Sequence, residues 1–567
     1  MLDILNQVTA QLTAPGQMFE LTEATVRGNK MKVWANAPGS LRDVWLSTAA
    51  HGDRDYLVYQ DERWTYSQAH EEVARIANWL LSNGIGQHDR VAIAMRNYPE
   101  WMLCYWAAAS IGAVAVGVNA WWVAEELKYG LTDSDAKMLI CDRERLARFG
   151  EIRDDFPSLP AVAVRVDEIP EWATPWSDVL KSEAVMPEAT IDPDDDVCIF
   201  YTSGTTGFPK GAQLTHRSCT NQLFSAVFAS LSQGMANAII EGEQPPNPLD
   251  PGAEPLAGLV VTPLFHVTAN NGLAQGLTVG GGKLVHMYKW DAGEALRLIE
   301  QEKITGFTGV PTMSRELISH PDFDKRDVSS LTSLAGGGAP VQPDLIEKID
   351  SHGAHVIPAQ GYGLTETCGM ATGSYGKFLT EKPNSAGVPM PVCEIKTVDE
   401  LGNDLPCGET GEICIYGPHI IKGYLNRPEA TAETIVDGWL RTGDIGFVDE
   451  DNFVYLVDRA KDMVLRGGEN VYCSEVEAAI YSYPGVSECS VFSVPDERLG
   501  EEVGAAIFPA ANTDFNVDEM RSFLKQKLAS FKIPRFVWLM DDPLPQNASG
   551  KFLKRELQKQ LNPDQAL

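Results

Sequence analysis

Hydroxyl side chains, glycines and one lysine follow a short apolar run at residues 196–211, which read DVCIFYTSGTTGFPKG. Glycines let backbone N–H groups approach an anion closely, the hydroxyls add donors, and Lys210 adds a positive charge. The spacing is Gly-x-x-Gly-x-x-Lys, and no Ser or Thr follows the lysine to bind magnesium, so this is not a Walker loop. The segment predicts a polyphosphate-binding loop between two strands, with a plain surface turn as the alternative.

Four further segments carry side chains suited to nucleotide chemistry. They are AGGGAP at 335–340, QGYGLTET at 360–367, WLRTGD ending at Asp444, and PQNASGK ending at Lys551. Three glycines after a strand let backbone lie flat against a planar ligand, although a tight strand-to-helix turn uses the same residues. A base can stack on Tyr362, and Glu366 suits Mg²⁺, which favours carboxylate and phosphate oxygens.

Composition limits the class of protein. The chain has 567 residues, with 44% hydrophobic and 22% charged residues, which predicts a globular protein of two or more domains. The net charge of −32 argues against non-specific binding to nucleic acid or anionic lipid. Ten cysteines without zinc spacing suit a reducing compartment, so we expect a cytoplasmic location. The apolar run at 102–118 predicts a buried helix and strand, and no transmembrane segment is expected.

Alternating helices and strands are predicted from residue 41 onward. Helices at 66–83, 99–112 and 124–134 alternate with strands at 90–95, 113–118 and 136–141, a spacing typical of βαβ units and a parallel sheet. Residues 1–40 predict an extended arm, residues 235–257 an exposed loop, and residues 391–416 a β-rich subdomain. The sequence therefore predicts an α/β fold with a large N-terminal domain of layered, parallel-rich sheets.

The pattern changes after Asp458 into a small α+β unit. Ser474 and Glu477 match a capping box that opens a helix, and strands are predicted at 490–494, 503–508 and 535–540, with a helix at 517–528. We therefore expect a large domain over residues 1–458 and a small mobile C-terminal domain over 459–567.

Taken together, YTSGTTGFPKG, GYGLTET, RTGD, DRAKD with RGGENV, and PQNASGK resemble, in order, the signatures of the adenylate-forming superfamily. This superfamily contains acyl-CoA synthetases, luciferases and peptide-synthetase adenylation domains. The resemblance covers roughly residues 40–560 and implies ATP, Mg²⁺ and coenzyme A as cofactors, with a small carboxylic acid as the substrate. Oligomeric state stays open, with a homodimer as one option.

The resemblance also implies a role for each matching position. The phosphates of ATP would be held by the first loop, through Thr202, Ser203, Gly204, Thr205, Thr206, Gly207 and Lys210. The adenosine and α-phosphate would meet Gly336, Gly337, Gly338, Ala339, Gly361, Tyr362, Gly363, Thr365, Asp444 and Arg459. Glu366 would hold the magnesium ion, and Lys551 would be the catalytic lysine.

Further implied positions concern the acid, coenzyme A and the hinge between the domains. His266 would gate the acyl pocket, which Val310 and Ala335 would help to build, and Gly467 and Gly468 would border the pantetheine tunnel. Lys461 would be the hinge about which the C-terminal domain rotates. Lys551 would serve acyl-adenylate formation and then leave to admit the thiol.

The acid itself is less well defined by the sequence. The residues from His266 to Asn271 include no acidic side chain to pair with a substrate ammonium, which disfavours an amino acid. The sequence favours an acyl-CoA ligase acting in fatty acid metabolism on a medium- or long-chain fatty acid. An aryl or substituted acid is the alternative, and a luciferase-like enzyme or a non-catalytic acyl- or ATP-binding protein are further readings.

Overall fold

The computed structural model describes residues 1–202, 209–245, 256–337, 341–351, 356–459, 461–467, 469–510, 513, 515–548 and 550–567. Within these ranges the chain forms two large sheets, two smaller five-stranded sheets and one hairpin. Three of the sheets and most helices precede residue 460.

The first large sheet has eight strands, two of which flank the predicted phosphate loop. Its spatial order is Gly423–Tyr424, Lys210–Thr215, Asp196–Thr202, Val114–Gly117, Arg90–Ala94, Met138–Asp142, Ala161–Val164 and Ala173–Pro175. The pair Asp196–Thr202 and Lys210–Thr215 is antiparallel, which confirms that the loop joins two strands. The strands from Val114 to Pro175 are parallel, as the alternating pattern predicts.

The second large sheet has nine strands and carries two more of the predicted segments. Its order is Val388–Pro389, Gly369–Tyr375, Ile357–Leu364, Ser333–Gly336, Gly306–Gly309, Ala257–Val260, Lys283–His286, Asp55–Tyr59 and Glu62–Thr65. Ser333–Gly336 and Ile357–Leu364 are adjacent and parallel, so AGGGAP and QGYGLTET both start at the same edge of this sheet.

Two five-stranded sheets contain the strands of the β-rich subdomain and of the C-terminal unit. The β-rich subdomain contains Glu394–Val398, Gly411–Tyr416, Trp439–Val448, Ile435–Val436 and Val454–Arg459, and the C-terminal sheet contains Glu469–Val471, Val464–Arg466, Gly500–Pro509, Val486–Asp496 and Phe536–Leu539. Sheet membership changes between Arg459 and Val464, on either side of Lys461. The division at residue 458 and the hinge stay predictions.

The α-helices cover these sheets on the outside and fill the space between them. They are Leu2–Leu12, Leu41–Ser47, Tyr66–Ser82, Pro99–Ser110, Ala124–Asp133, Arg143–Glu151, Trp176–Val179, His216–Glu241, Val267–Ala269, Gln275–Val279, Ala292–Glu302, Pro311–Ser319, Pro343–Ser351, Lys377–Glu381, Pro428–Thr434, Cys473–Tyr481, Val517–Leu524 and Lys554–Gln560. Pro99–Ser110 is buried along its whole length, which confirms the core position predicted for its apolar run.

Helix His216–Glu241 is the longest and runs through the large domain. Thr215 caps it by accepting from Ser218 N at 3.1 Å, and Gly242 ends it in a left-handed conformation at φ 76°. Its length and composition also suffice for a membrane span, with 44% of the apolar window buried, but the core helix of a globular protein passes the same test. The cytoplasmic location stays a prediction.

Three local predictions were wrong. Residues 1–40 are not an extended arm, because Leu2–Leu12 is a helix whose Leu5 and Val8 pack on Ala236, and Leu21–Val26 pairs with Asn29–Trp34. Leu2, Leu5, Val8 and Leu12 are spaced as on one face of a helix, a pattern that the prediction overlooked, and tertiary packing of this face stabilises the short helix. The exposed loop predicted from residue 235 begins later, because the long helix continues to Glu241; residues 246–255 lie outside the described residues.

The third error is the capping box at Ser474. The helix begins at Cys473, its N-cap is Tyr472, and no side chain caps it. The Ser474 hydroxyl instead donates to Val457 O, and the Glu477 carboxylate accepts from Val491 N at 2.8 Å and pairs with Lys554 at 2.8 Å. Long-range partners therefore outcompete the local capping contacts that the spacing suggests.

Candidate active site

A cavity of 1610 Å³ lies where the two large sheets, the β-rich subdomain and the C-terminal unit meet. Fourteen of the predicted site residues line it: Thr202, Lys210, His266, Val310, Gly336, Gly337, Gly361, Tyr362, Gly363, Thr365, Glu366, Arg459, Lys461 and Lys551. These residues are up to 349 positions apart in sequence, from Thr202 to Lys551. The fold therefore gathers most of the predicted site in one place.

Other predicted positions lie elsewhere or cannot be placed. Gly467 does not line the cavity; its N–H donates to Leu499 O at 2.9 Å in a turn of the C-terminal sheet. Ala335 belongs to strand Ser333–Gly336, pairing with Thr308 and Ala359. Asp444 does not line the cavity itself but is bound by two residues that do, Tyr362 and Arg459. Eight predicted positions lie outside the described residues: Ser203, Gly204, Thr205, Thr206, Gly207, Gly338, Ala339 and Gly468.

Asp444 is a buried carboxylate held by two cavity residues. The Tyr362 hydroxyl donates to Asp444 Oδ2 at 2.7 Å, and Arg459 Nε lies 3.2 Å from Asp444 Oδ1. Burial, followed by the negative charge of Asp444, raises the pKa of Tyr362 well above its ordinary value, so the phenol stays protonated and donates. Both carboxylate oxygens are thereby oriented, which suits an acceptor for vicinal hydroxyls.

Glu366 is positioned by the tight turn that ends strand Ile357–Leu364. Leu364 N donates to Thr367 Oγ1 at 2.8 Å, and the Thr367 hydroxyl donates to Gly369 O at 2.7 Å. Cys368 closes the turn at φ 54°. The turn directs the Glu366 carboxylate into the cavity, where a single carboxylate beside bound phosphates is the donor set that Mg²⁺ prefers.

Tyr424 is a site residue that the sequence reasoning missed. Its hydroxyl donates to Glu366 Oε1 at 2.6 Å, and its ring lies 4.9 Å from Lys210 Nζ. It therefore links the predicted metal ligand to the predicted phosphate-binding lysine. No local pattern distinguishes Tyr424, because its role depends on the pairing of Gly423–Tyr424 with strand Lys210–Thr215.

Lys551 reaches the cavity from a tight turn in the C-terminal unit. Lys551 N donates to Asn547 Oδ1 at 2.9 Å, and Gly550 N donates to Asn547 O at 2.9 Å. Gly550 has φ 79°, and a Cβ there would lie 2.6 Å from Val310 Cγ2. Only glycine fits this approach, which brings the turn against the large domain.

The charge of Lys551 is set by its surroundings. Burial, followed by repulsion from Arg459, lowers its pKa to about 8, and the carboxylates of Asp444 and Glu366 oppose that shift. The side chain is therefore mainly protonated at pH 7, and the charges of Arg459, Asp444 and Glu366 all act on it. A buried ammonium of this kind can stabilise negative charge on an anion in the cavity.

His266 lies beside Lys551 on the cavity wall. Burial, followed by the charge of Lys551, lowers its pKa to about 4, so the imidazole is neutral at pH 7. Its ring centroid is 4.6 Å from that of Phe265. Only His266 of this pair lines the cavity, while Phe265 is buried against it, so this part of the wall is a neutral imidazole, which fits a position next to an organic acid.

A second contact holds the C-terminal unit against the large domain. The Arg315 guanidinium lies 5.2 Å from the centre of the Tyr481 ring and pairs with Asp344 at 2.7 Å. Ala548, next to the Lys551 turn, packs against the main core. The C-terminal unit therefore packs against the large domain with Lys551 in the cavity, an arrangement that we call closed.

Family models match both parts of the chain. Residues 44–425 match the model described as AMP-binding enzyme, and residues 475–551 match the AMP-binding enzyme C-terminal domain. Among the described residues no group of three or more His, Cys, Asp and Glu side chains is arranged to hold a metal ion by itself.

Similar proteins include CoA ligases that are named for different acids. The chain is 36% identical over 497 residues to a feruloyl-CoA synthase from Amycolatopsis sp, covering 88% of this chain and 94% of the relative. It is 32% identical over 521 residues to 4-coumarate–CoA ligase 2 of Oryza sativa, covering 88% of each chain. It is 33% identical over 511 residues to the long-chain-fatty-acid–CoA ligase FadD13 of Mycobacterium tuberculosis, covering 88% and 94%.

Solved structures share the fold. The o-succinylbenzoate CoA synthetase MenE of Bacillus subtilis, in complex with the acyl-adenylate OSB-AMP, has a TM-score of 0.75 and 29% identity, covering 91% of this chain and 97% of that one. The anthranilate CoA ligase AuaEII with anthranoyl-AMP has a TM-score of 0.81 and 25% identity, covering 92% and 96%.

Proposed function

The chain belongs to the AMP-binding enzyme family and is an ATP-dependent acid–CoA ligase, and on this premise we propose that its substrate is an aromatic carboxylic acid. ATP, Mg²⁺ and coenzyme A are its cofactors. The observation that carries the chemistry is that Lys551 and Glu366 line one cavity, together with Tyr362 and Arg459, which hold the buried Asp444 carboxylate.

In the first step a carboxylate oxygen of the acid attacks the α-phosphorus of ATP. The bond from that phosphorus to the bridging oxygen breaks, which gives an acyl-adenylate and pyrophosphate. We assign Asp444 to the ribose hydroxyls, with Tyr362 and Arg459 holding its oxygens in place. We assign the Lys551 ammonium to the α-phosphate, where negative charge accumulates in the transition state.

Glu366 is the residue proposed to hold magnesium, supported by Tyr424, whose hydroxyl donates to it. The ion, when bound, neutralises charge on the phosphates. Thr365, next to Glu366 in the same turn, is assigned to the α-phosphate, and Thr202 and Lys210 to the outer phosphates.

In the second step the thiol of coenzyme A attacks the acyl carbonyl carbon. The carbon–oxygen bond to the phosphate breaks, AMP leaves, and the thiol proton passes to solvent. Because Lys551 occupies the cavity in the closed arrangement, we propose that the C-terminal unit rotates near Lys461 and removes it. No dedicated base is needed, because a thiol ionises near pH 8.5 and is intrinsically nucleophilic.

The aromatic assignment is supported by the relatives, several of which are ligases of ring-containing acids by name: feruloyl, coumarate and succinylbenzoate. The neutral imidazole of His266 on the cavity wall also suits a ring. A medium- or long-chain fatty acid is the second candidate. It is favoured by the likeness to FadD13 and by apolar cavity residues on the long helix, including Phe224, Val227 and Leu231.

Pyrophosphate release across a panel of acids tests this proposal. The panel pairs benzoate, cinnamate and their ring-substituted forms with straight-chain acids from hexanoate to palmitate, each with and without coenzyme A. We expect the highest kcat/KM for an aromatic acid, and sustained turnover only with coenzyme A. Highest efficiency for a straight-chain acid selects the fatty acid candidate, and the absence of thioester with every acid refutes the ligase reaction.

A further inference from the structure

Asp133 is a largely buried carboxylate beside the predicted phosphate loop. It is the last residue of helix Ala124–Asp133, and its side chain is 7% exposed. Its Oδ2 accepts from the Tyr201 hydroxyl at 3.0 Å, and its Oδ1 accepts from Arg427 Nη2 at 2.9 Å. Tyr201 directly precedes Thr202, and both line the cavity. The carboxylate therefore fixes the strand end that presents Thr202.

Tyr129 supports the other end of the same loop. It lies one turn before Asp133 on the same helix, and its hydroxyl donates to Pro209 O at 2.7 Å. Pro209 directly precedes Lys210, and both line the cavity. Burial, followed by the negative charge of Asp133, raises the pKa of Tyr129, so the phenol stays protonated and donates. Arg427 Nη2 donates to the same hydroxyl oxygen at 3.4 Å, so it contacts the supports of both loop ends.

Arg427 reaches this network from a distant segment of the chain. It comes shortly after strand Gly423–Tyr424, which pairs with the strand that begins at Lys210. The ladder between the two strands that flank the loop ends at the pair of Thr202 with Lys210, so Pro209 lies beyond its last pair. The side-chain contacts therefore support the loop at the point where backbone pairing stops.

We propose that Tyr129 and Arg427 are positioning residues for the outer phosphates of ATP. Neither side chain lines the cavity, so each acts through the loop ends that do, Thr202 and Lys210. Arg427 also compensates the charge of Asp133, and an uncompensated carboxylate there would oppose phosphates bound at the loop. Binding is tighter when the groups that meet the ligand are already held in place. The inference rests on the proposed function, which assigns Thr202 and Lys210 to these phosphates.

The binding of two nucleotides to the full-length protein tests this inference. AMP has the base, ribose and α-phosphate of ATP and lacks the two outer phosphates. Isothermal titration calorimetry without acid or coenzyme A gives the Kd for Mg·ATP and the Kd for AMP. We expect Tyr129→Phe, which removes only the hydroxyl, to raise the Kd for Mg·ATP about 3- to 10-fold, the effect of one hydrogen bond. The Kd for AMP should not change.

Variants of the arginine test the role of its charge. Arg427→Gln should raise the Kd for Mg·ATP at least about 3-fold, and Arg427→Lys, which keeps the positive charge, should recover most of the affinity. Tyr416→Phe is the control for the tyrosine, because its hydroxyl also donates to a backbone carbonyl, at 2.8 Å. Arg63→Gln is the control for the arginine, because Arg63 is 42% exposed and pairs with the buried Glu302 at 2.6 Å. Neither control residue lines the cavity, and neither substitution should change either Kd.

The half-reactions give a readout that a general loss of stability would not produce. The KM for Mg·ATP should rise in Tyr129→Phe, whereas the KM for the acid should stay the same. Thioester formation from a supplied acyl-adenylate, which has no outer phosphates, should also stay the same. Thermal melting identifies any unfolded variant, and the conservative Tyr129→Phe and Arg427→Lys decide the matter if Arg427→Gln does not fold.

The outcomes distinguish this inference from the proposed function. An unchanged Kd for Mg·ATP in Tyr129→Phe and Arg427→Gln overturns the inference and leaves the ligase intact. An equal rise in the Kd values for Mg·ATP and AMP also overturns it, because the network would then support the whole site. Equal affinity of the wild type and Lys210→Ala for Mg·ATP refutes the assignment of Lys210 to the outer phosphates, and this inference with it.

Discussion

Replacing Lys551 with alanine should separate the two half-reactions. Lys551 enters the cavity only through the turn held by Asn547 and by the close contact of Gly550 with Val310, so its ammonium belongs to the closed arrangement. The proposed second step proceeds after Lys551 has left. The substitution should therefore impair acyl-adenylate formation and leave thioester formation from a supplied acyl-adenylate nearly intact.

The size of the effect follows from the electrostatics. Removing one preorganised group that stabilises transition-state charge typically costs about 10² to 10³ in rate. Because the pKa of Lys551 is lowered to about 8, the ratio of protonated to neutral Lys551 is about 10 to 1 at pH 7 and about 1 to 10 at pH 9. We expect Lys551→Ala to lower adenylation by at least about 10²-fold and the thioester step by less than about 3-fold.

The assay measures each half-reaction alone. Pyrophosphate release without coenzyme A reports adenylation in a single turnover, and purified acyl-adenylate with coenzyme A reports thioester formation. Lys559→Ala, which removes an exposed positive charge from the same unit, is the control and should change neither. The kcat/KM of wild-type adenylation should also fall above pH 8, as the free enzyme loses the ammonium.

Two results would refute this reasoning. An equal loss in both half-reactions would mean that Lys551 supports the fold or takes part in both steps, and the proposed rotation would then lose its basis. Adenylation that stays constant from pH 7 to pH 9.5 would show that the charge of Lys551 does not carry the effect.

Three further outcomes are expected. Tyr424→Phe removes the donor to Glu366 and should raise the KM for Mg·ATP about 3- to 10-fold, whereas Tyr416→Phe, whose hydroxyl donates to Lys30 O, should not; an unchanged KM would separate Tyr424 from the metal site. Gly550→Ala places a Cβ 2.6 Å from Val310 Cγ2 and should slow adenylation by about 10-fold or more while sparing the thioester step, so normal adenylation would contradict the docking geometry. Burial lowers the pKa of His216 and His419 to about 4 in the folded protein, so below pH 6.5 the unfolded chain binds more protons than the folded one. Each histidine should therefore lower the free energy of unfolding by about 2 kcal/mol at pH 5 relative to pH 7 and above. A melting temperature that does not change from pH 7 to pH 5 would exclude this.

The amino-acid sequence by itself predicted many helices and strands of the large domain. The helix Tyr66–Ser82 and the strands Arg90–Ala94 and Met138–Asp142 follow from local hydrophobic periodicity and turn residues, which act over a few positions. The helix Leu2–Leu12 was missed although Leu2, Leu5, Val8 and Leu12 have helical spacing; a helix this short also needs its contacts with Ala236 and Phe378 to be stable.

For the site, the sequence determined which side chains have the right chemistry, and the tertiary structure decided which of them meet. The residue types of Lys551, Glu366 and Tyr362 suit nucleotide chemistry, and their individual roles were implied by the resemblance of the ordered motifs to the adenylate-forming superfamily. The hydrogen bond from Tyr424 to Glu366 had no local signature. It depends on the pairing of strands from distant segments, which only the folded chain establishes.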